Sequence, residues 1–185
     1  MTQSLLSTML PILDRLGVSA VLIGGSALAI RGVARSSLNQ DLFTLEERCL
    51  FPPTWARLRS DGIQVEVRHG DDGDPLAGAV RFEQKRHRPL HLIVGRDASW
   101  QQRILDRAES LTLNDGPVRV ALSRDLVLLK LFASGPQDAW DIAQLLQLPH
   151  ADTLREDVNA EVQLLPDDSQ RLWDRIVRDV FAPTL

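Results

Sequence analysis

Two glycines and a serine, Gly24-Gly25-Ser26, close the short apolar run Val21-Leu22-Ile23. A tight glycine turn opening a helix suits phosphate groups, because backbone N–H groups can approach an anion closely there. Further along, Asn39-Gln40-Asp41 sets an amide and a carboxylate at i and i+2. On a strand, that spacing points both side chains from one face. Two carboxylates so placed, with a third from a neighbouring strand, hold divalent cations that bridge a triphosphate and activate an attacking hydroxyl. Here the first of the two positions is Asn39, a neutral oxygen donor, and only Asp41 carries charge.

Two further residues stand out against apolar surroundings. His91 interrupts the apolar stretch Leu90-His91-Leu92-Ile93-Val94. Taken alone, such a histidine is more often a hydrogen-bonded structural residue than a ligand. Lys130 lies in Leu126-Val127-Leu128-Leu129-Lys130-Leu131-Phe132, a helix apolar nearly all round. A buried ammonium needs a carboxylate or a phosphate partner. Asp138 and Asp141, at i and i+3 beyond the Gly135-Pro136 break, share a helical face and supply the carboxylates.

The elements that must position these groups follow from periodicity. Ser4–Leu16 has helical spacing with Pro11 inside it, and Gly17 stops it. Ala20–Ile23 reads as a buried strand, Ser26–Arg31 as a short helix stopped by Gly32, and Leu38–Leu45 as the next strand. Pro52–Arg59 reads as a helix, while Ile63–Arg68, Ala79–Glu83 and Leu90–Val94 read as strands. A helix over Ser99–Glu109 and a strand at Val118–Leu122 follow. Ser123 is placed to cap a helix through Ala133. Gln137–Leu146 reads as a second helix, and Asp152–Phe181 as one or two more with a break near Pro166. Arg86-His87-Arg88 reads as an exposed turn. Trp55, Trp100, Trp140, Trp173 and Cys49 read as packing residues.

Bulk composition bounds the rest. The 185 residues, 44% hydrophobic and 25% charged, suit one sizeable soluble domain with a helical C-terminal part. A net charge of −4 argues against a broad DNA-binding surface. The single cysteine excludes an internal disulfide and a cysteine-based zinc cluster. No apolar run approaches the roughly 20 residues that span a bilayer, and no secretory leader is evident, so a cytoplasmic location is expected.

The segments Gly24-Gly25-Ser26, Gly32-Val33-Ala34-Arg35-Ser36-Ser37 and Asn39-Gln40-Asp41-Leu42-Phe43 occur in a telling order. They are followed by Leu90–Val94, then Asp125 to Leu131 and Asp138-Ala139-Trp140-Asp141-Ile142. In this order they resemble the nucleotidyltransferase superfamily, in particular the small bacterial branch that includes the AbiEii-type toxin nucleotidyltransferases. The resemblance covers residues 18–146. It implies a mixed α/β (α+β) fold, a twisted mixed sheet flanked by helices. Residues 1–148 would form the nucleotidyltransferase-like domain, and 149–185 a helical segment packed on it.

The resemblance also implies function. Relatives with an intact site transfer a nucleotide from an NTP to a protein or RNA acceptor with Mg or Mn, and some belong to toxin–antitoxin pairs with an antitoxin partner. Gly24, Gly25, Ser26 and Arg35 would hold the nucleotide. Lys130 would neutralise the triphosphate charge and belong to the catalytic set, and Asp138 would join it in the nucleotide site. Asp41, Asn39 and His91 would occupy the metal and catalytic positions. The first and third acids of that pattern are here Asn39 and His91. A site of charge −3 becomes −1, and hard Mg²⁺ favours carboxylate and water oxygen over such a set. A softer ion, or a pseudoenzyme that senses nucleotide or binds a protein, is the alternative.

Overall fold

The computed structural model describes residues 4–34, 39–72, 74, 76–96 and 99–182. Backbone contacts group these into two compact units. Met1–Ala27 with Arg35–Ala121 forms the first, and Leu28–Ala34 with Leu122–Leu185 the second.

The first unit holds a seven-stranded mixed sheet in the order β3-β4-β5-β2-β1-β7-β6. Its strands are β1 (Val21–Ile23), β2 (Gln40–Thr44), β3 (Gln64–His69), β4 (Leu76–Glu83), β5 (Leu90–Gly95), β6 (Glu109–Leu113) and β7 (Gly116–Val120). β2 runs parallel to β5 and antiparallel to β1, and β1 runs parallel to β7. The mixed α/β class expected from the sequence is the one observed.

Helix α1 (Leu5–Arg15) buries Leu5, Leu6, Met9 and Leu13, and its first turn is capped by Ser4 Oγ, which accepts from the Ser7 amide at 3.0 Å. Pro11 sits within α1 without ending it. Helix α2 spans Gly24–Ile30. The stretch read as one helix from Pro52 is a 3-10 turn, Pro52–Trp55, leading into α3 (Ala56–Ser60). A further 3-10 turn, Glu47–Leu50, precedes it.

One face of the sheet is core. Leu42, Val80, Phe82, Leu90, Leu92 and Val94 alternate onto it and are buried. Trp55 meets Phe82 edge to face, with ring centroids 4.9 Å apart, and donates its indole N–H to the Cys49 carbonyl at 2.7 Å. The opposite face is divided. At its Phe43 and Gly95 end, Gln101 of α4 (Ser99–Arg107) is buried close by: a Cβ on Gly95 would lie 2.6 Å from Phe43 and 2.7 Å from Gln101. Its other end carries Asp41 and His91.

The expected strand at Val118–Leu122 is β7, shifted by two residues, and its partner β6 stands where the periodicity predicts only the end of a helix at Glu109, since α4 stops at Arg107. Leu111 and Leu113 alternate with Ser110 and Thr112 before the Asn114-Asp115-Gly116 turn, which is a hairpin signal.

The second unit contains α5 (Ser123–Ala133), α6 (Asp138–Leu145), α7 (Ala151–Asn159) and α8 (Asp167–Phe181). Leu126, Leu131, Ile142, Leu145, Val158 and Trp173 form its core. Ser123 is not the cap expected of it. The N-cap is Leu122, and Ser123 already lies within the helix. Trp140 is 53% exposed, so it is not a packing residue, whereas Trp55, Trp100 and Trp173 are buried.

Candidate active site

β1 delivers the chain to Gly24, which adopts φ +64° and opens α2 immediately after the strand. Only glycine takes that conformation at little cost. Because β1 is antiparallel to β2, Ile23 lies opposite Asp41, and the turn folds directly over the aspartate. A Cβ on Gly24 would sit 2.3 Å from Asp41 Oδ2. The carboxylate therefore occupies space that exists because residue 24 has no side chain. Gly25 and Ser26 follow in the first turn of α2, half-buried.

His91 arrives from β5. The parallel register pairs it with Asp41, and His91 Nδ1 lies 3.1 Å from Asp41 Oδ1. An ionised carboxylate can only accept, so Nδ1 is the donor in this bond, and in a neutral imidazole the lone pair then lies on Nε2. Both side chains are 24% exposed, partly desolvated but open to a ligand. Both readings of His91 meet here, since it is hydrogen-bonded and it stands beside the one carboxylate of the pattern. Asn39 lies in a bend just before β2, not inside the strand as expected, and is half-buried.

The ladder continues sideways. Ile23, Asp41, His91, Arg81 and Glu66 stand side by side across β1, β2, β5, β4 and β3. Residues in register on neighbouring strands share a face, so Arg81 stands on the His91 side of the sheet. It is ion-paired with Glu83 of the same strand. Sequence reasoning missed Arg81. The alternation of Arg81 and Glu83 with buried Val80 and Phe82 marks the open face, but alternation alone does not say which strand lies next to it.

Lys130, in the helical unit, has a carboxylate on each side: Nζ is 2.7 Å from Asp138 Oδ1 and 2.5 Å from Asp141 Oδ2. The expected ion pair is thus made with both aspartates at once. Asp138 Oδ2 also accepts from the Gly135 amide at 2.8 Å, which ties the α5–α6 connection to the same cluster. Asp141 is fully buried and Lys130 is only 13% exposed. Arg35 lies outside the described residues.

Among the described residues, no three His, Cys, Asp or Glu side chains gather as a cation site. Asp41 Oδ1 faces the His91 N–H, and Oδ2 is pressed against Gly24. This arrangement does not fit the carboxylate cage of two-cation transfer chemistry. A cavity of about 520 Å³, lined by Ser19, Leu45, Glu46, Glu47, Gln102 and Leu105, lies at the Thr44 end of β2, away from Asp41.

No family model matches the chain, and no curated protein matches it in sequence. Solved structures do. An antigenic nucleotidyltransferase-like protein from Paracoccidioides brasiliensis superposes with a TM-score of 0.50 at 16% identity, over 94% of this chain and 86% of that one. This chain has a nucleotidyltransferase-like fold. The solution structure of the antibiotic-resistance factor ANT(2'')-Ia is similar to a TM-score of 0.51 at 13% identity, over 84% of this chain and 88% of that chain. Within the nucleotidyltransferase-like fold, none of the described helices is long and apolar enough to cross a membrane.

Proposed function

We propose that this chain binds a nucleoside triphosphate at the Gly24-Gly25-Ser26 turn, beside Asp41 and His91, as a nucleotidyltransferase-like protein of the small bacterial AbiEii-type branch. The observation that carries the reading is the fit of Asp41 against Gly24. It sets the one retained carboxylate directly beside the glycine turn, where a nucleotidyltransferase needs both. The order of motifs and the nucleotidyltransferase-like fold support it. Gly25 and Ser26 would present backbone and hydroxyl donors to phosphate oxygens. The acceptor would be a protein or RNA hydroxyl, and a partner protein of antitoxin type belongs to the same reading.

A second reading is favoured by the Asp41–His91 hydrogen bond. In it the protein keeps the nucleotide pocket and does no transfer, because its one carboxylate is engaged and two others are replaced.

Thermal shift with ATP, GTP, CTP and UTP tests binding. Stabilisation by at least one supports the proposal, and no shift with any of the four sinks it. Transfer from labelled NTP separates the two readings. Label on an acceptor supports the enzyme. Transfer that arises only after Asn39→Asp with His91→Asp supports the sensor.

A further inference from the structure

Resting on that nucleotide-binding reading, we propose that the site takes its nucleotide without a divalent cation, and that Arg81 supplies the positive charge that meets the phosphates. A metal bridging a nucleotide to this cluster needs several hard anionic oxygens, and of positions 39, 41 and 91 only Asp41 carries a carboxylate. Oδ1 accepts from His91 Nδ1 at 3.1 Å. Oδ2 lies so close to Gly24 that a single added carbon would stand 2.3 Å from it. Asn39 is neutral. His91 and Asp41 form a pair, and among the described residues no third His, Cys, Asp or Glu side chain gathers with them as a cation site.

The charge that a cation would bring is found one strand away. Arg81 is the registered neighbour of His91 on β4 and stands on the same face. Its side chain is 44% exposed. Neighbouring strands are about 4.8 Å apart, so an extended arginine reaches over His91 toward Asp41. Its present partner, Glu83, is itself 41% exposed. An ion pair that open contributes on the order of 0–1 kcal/mol, so a bidentate contact with phosphate can displace it. Glu66, the registered neighbour of Arg81 on β3, is ion-paired with Arg68 at 2.8 Å.

Calorimetric titration of the full chain with ATP and with adenosine, in EDTA and in excess Mg²⁺ or Mn²⁺, tests this. The expected result is a dissociation constant for ATP that changes no more than about twofold between EDTA and metal. Arg81→Ala is expected to weaken ATP about tenfold and leave adenosine unchanged, with Arg81→Lys in between. Tightening by metal of about tenfold or more would overturn the cation-independent site while leaving nucleotide binding intact. Equal ATP affinity in Arg81→Ala would remove Arg81 from it. No binding of ATP, GTP, CTP or UTP by the unaltered chain would sink the nucleotide reading as well. As a positive control, Asn39→Asp with His91→Asp should make binding metal-dependent.

Discussion

Asp41 Oδ2 occupies the place that a side chain on Gly24 would take, the added Cβ lying 2.3 Å from that oxygen. The contact arises because β1 pairs antiparallel with β2 and the chain turns over Asp41 as it leaves the strand, at φ +64°. Gly24→Ala therefore incurs two costs. The left-handed backbone costs about 1–2 kcal/mol for an L-residue. The methyl group must also push the carboxylate away, breaking its alignment with His91. Urea denaturation should show a loss of at least about 1 kcal/mol. An alanine variant as stable as the parent would mean that the carboxylate does not pack on the turn.

The Lys130 cluster predicts asymmetric effects. Lys130→Met leaves Asp138 and Asp141 without their cation, and Asp141 is fully buried. Breaking such a cluster on one side costs about 3–5 kcal/mol. Replacing charge on both sides, Lys130→Met with Asp141→Leu, should recover part of that loss, because the uncompensated buried carboxylate is gone. Equilibrium unfolding of the three proteins checks this. Equal stability of the single and double variants would contradict it.

At Arg86 the backbone adopts φ 69° in the exposed turn between β4 and β5. No glycine relieves it, and the side chain is exposed. Arg86→Gly should raise stability by up to about 1 kcal/mol, less the entropy that glycine adds to the unfolded chain. A rise in melting temperature is the readout, and a fall would show that the arginine makes a contact worth more than the strain.

What could be read from the residues, and what could not, follows the range of the interactions. The strand at Val21–Ile23, the glycine turn, the Asp41 strand and the His91 strand were all legible from local alternation and punctuation. So was the pairing of Lys130 with its aspartates, because α5 and α6 are joined by a short connection. The Asp41–His91 bond was only half legible. It depends on a parallel register between β2 and β5, and β3 and β4 lie between them in the chain. Arg81 was missed for the same reason: its neighbour on the sheet is fixed by the β4–β5 ladder, not by its own sequence. Trp140 shows the converse. Its helix is amphipathic, and Asp138 and Asp141 take the side turned to Lys130, leaving the indole exposed.

Cys49 yields a prediction in which pH carries the sign. Burial, reinforced by the charge of Glu46 and only partly offset by Arg48, pushes its thiol from 9.0 up to about 12. Well below pH 9 the thiol is largely neutral in both folded and unfolded chains, so it contributes little pH dependence there. Between pH 9 and about 12 the unfolded chain loses the proton while the folded chain keeps it. The unfolded state is thereby favoured by up to about 1.4 kcal/mol per pH unit, and stability falls as pH rises. Cys49→Ala should flatten that part of the profile, at the cost of a small cavity beside Trp55. In the native protein at pH 8 the thiol should resist iodoacetamide and react only on unfolding, because the thiolate is the nucleophile. Rapid labelling of the folded chain at that pH would show that Cys49 is neither buried nor raised.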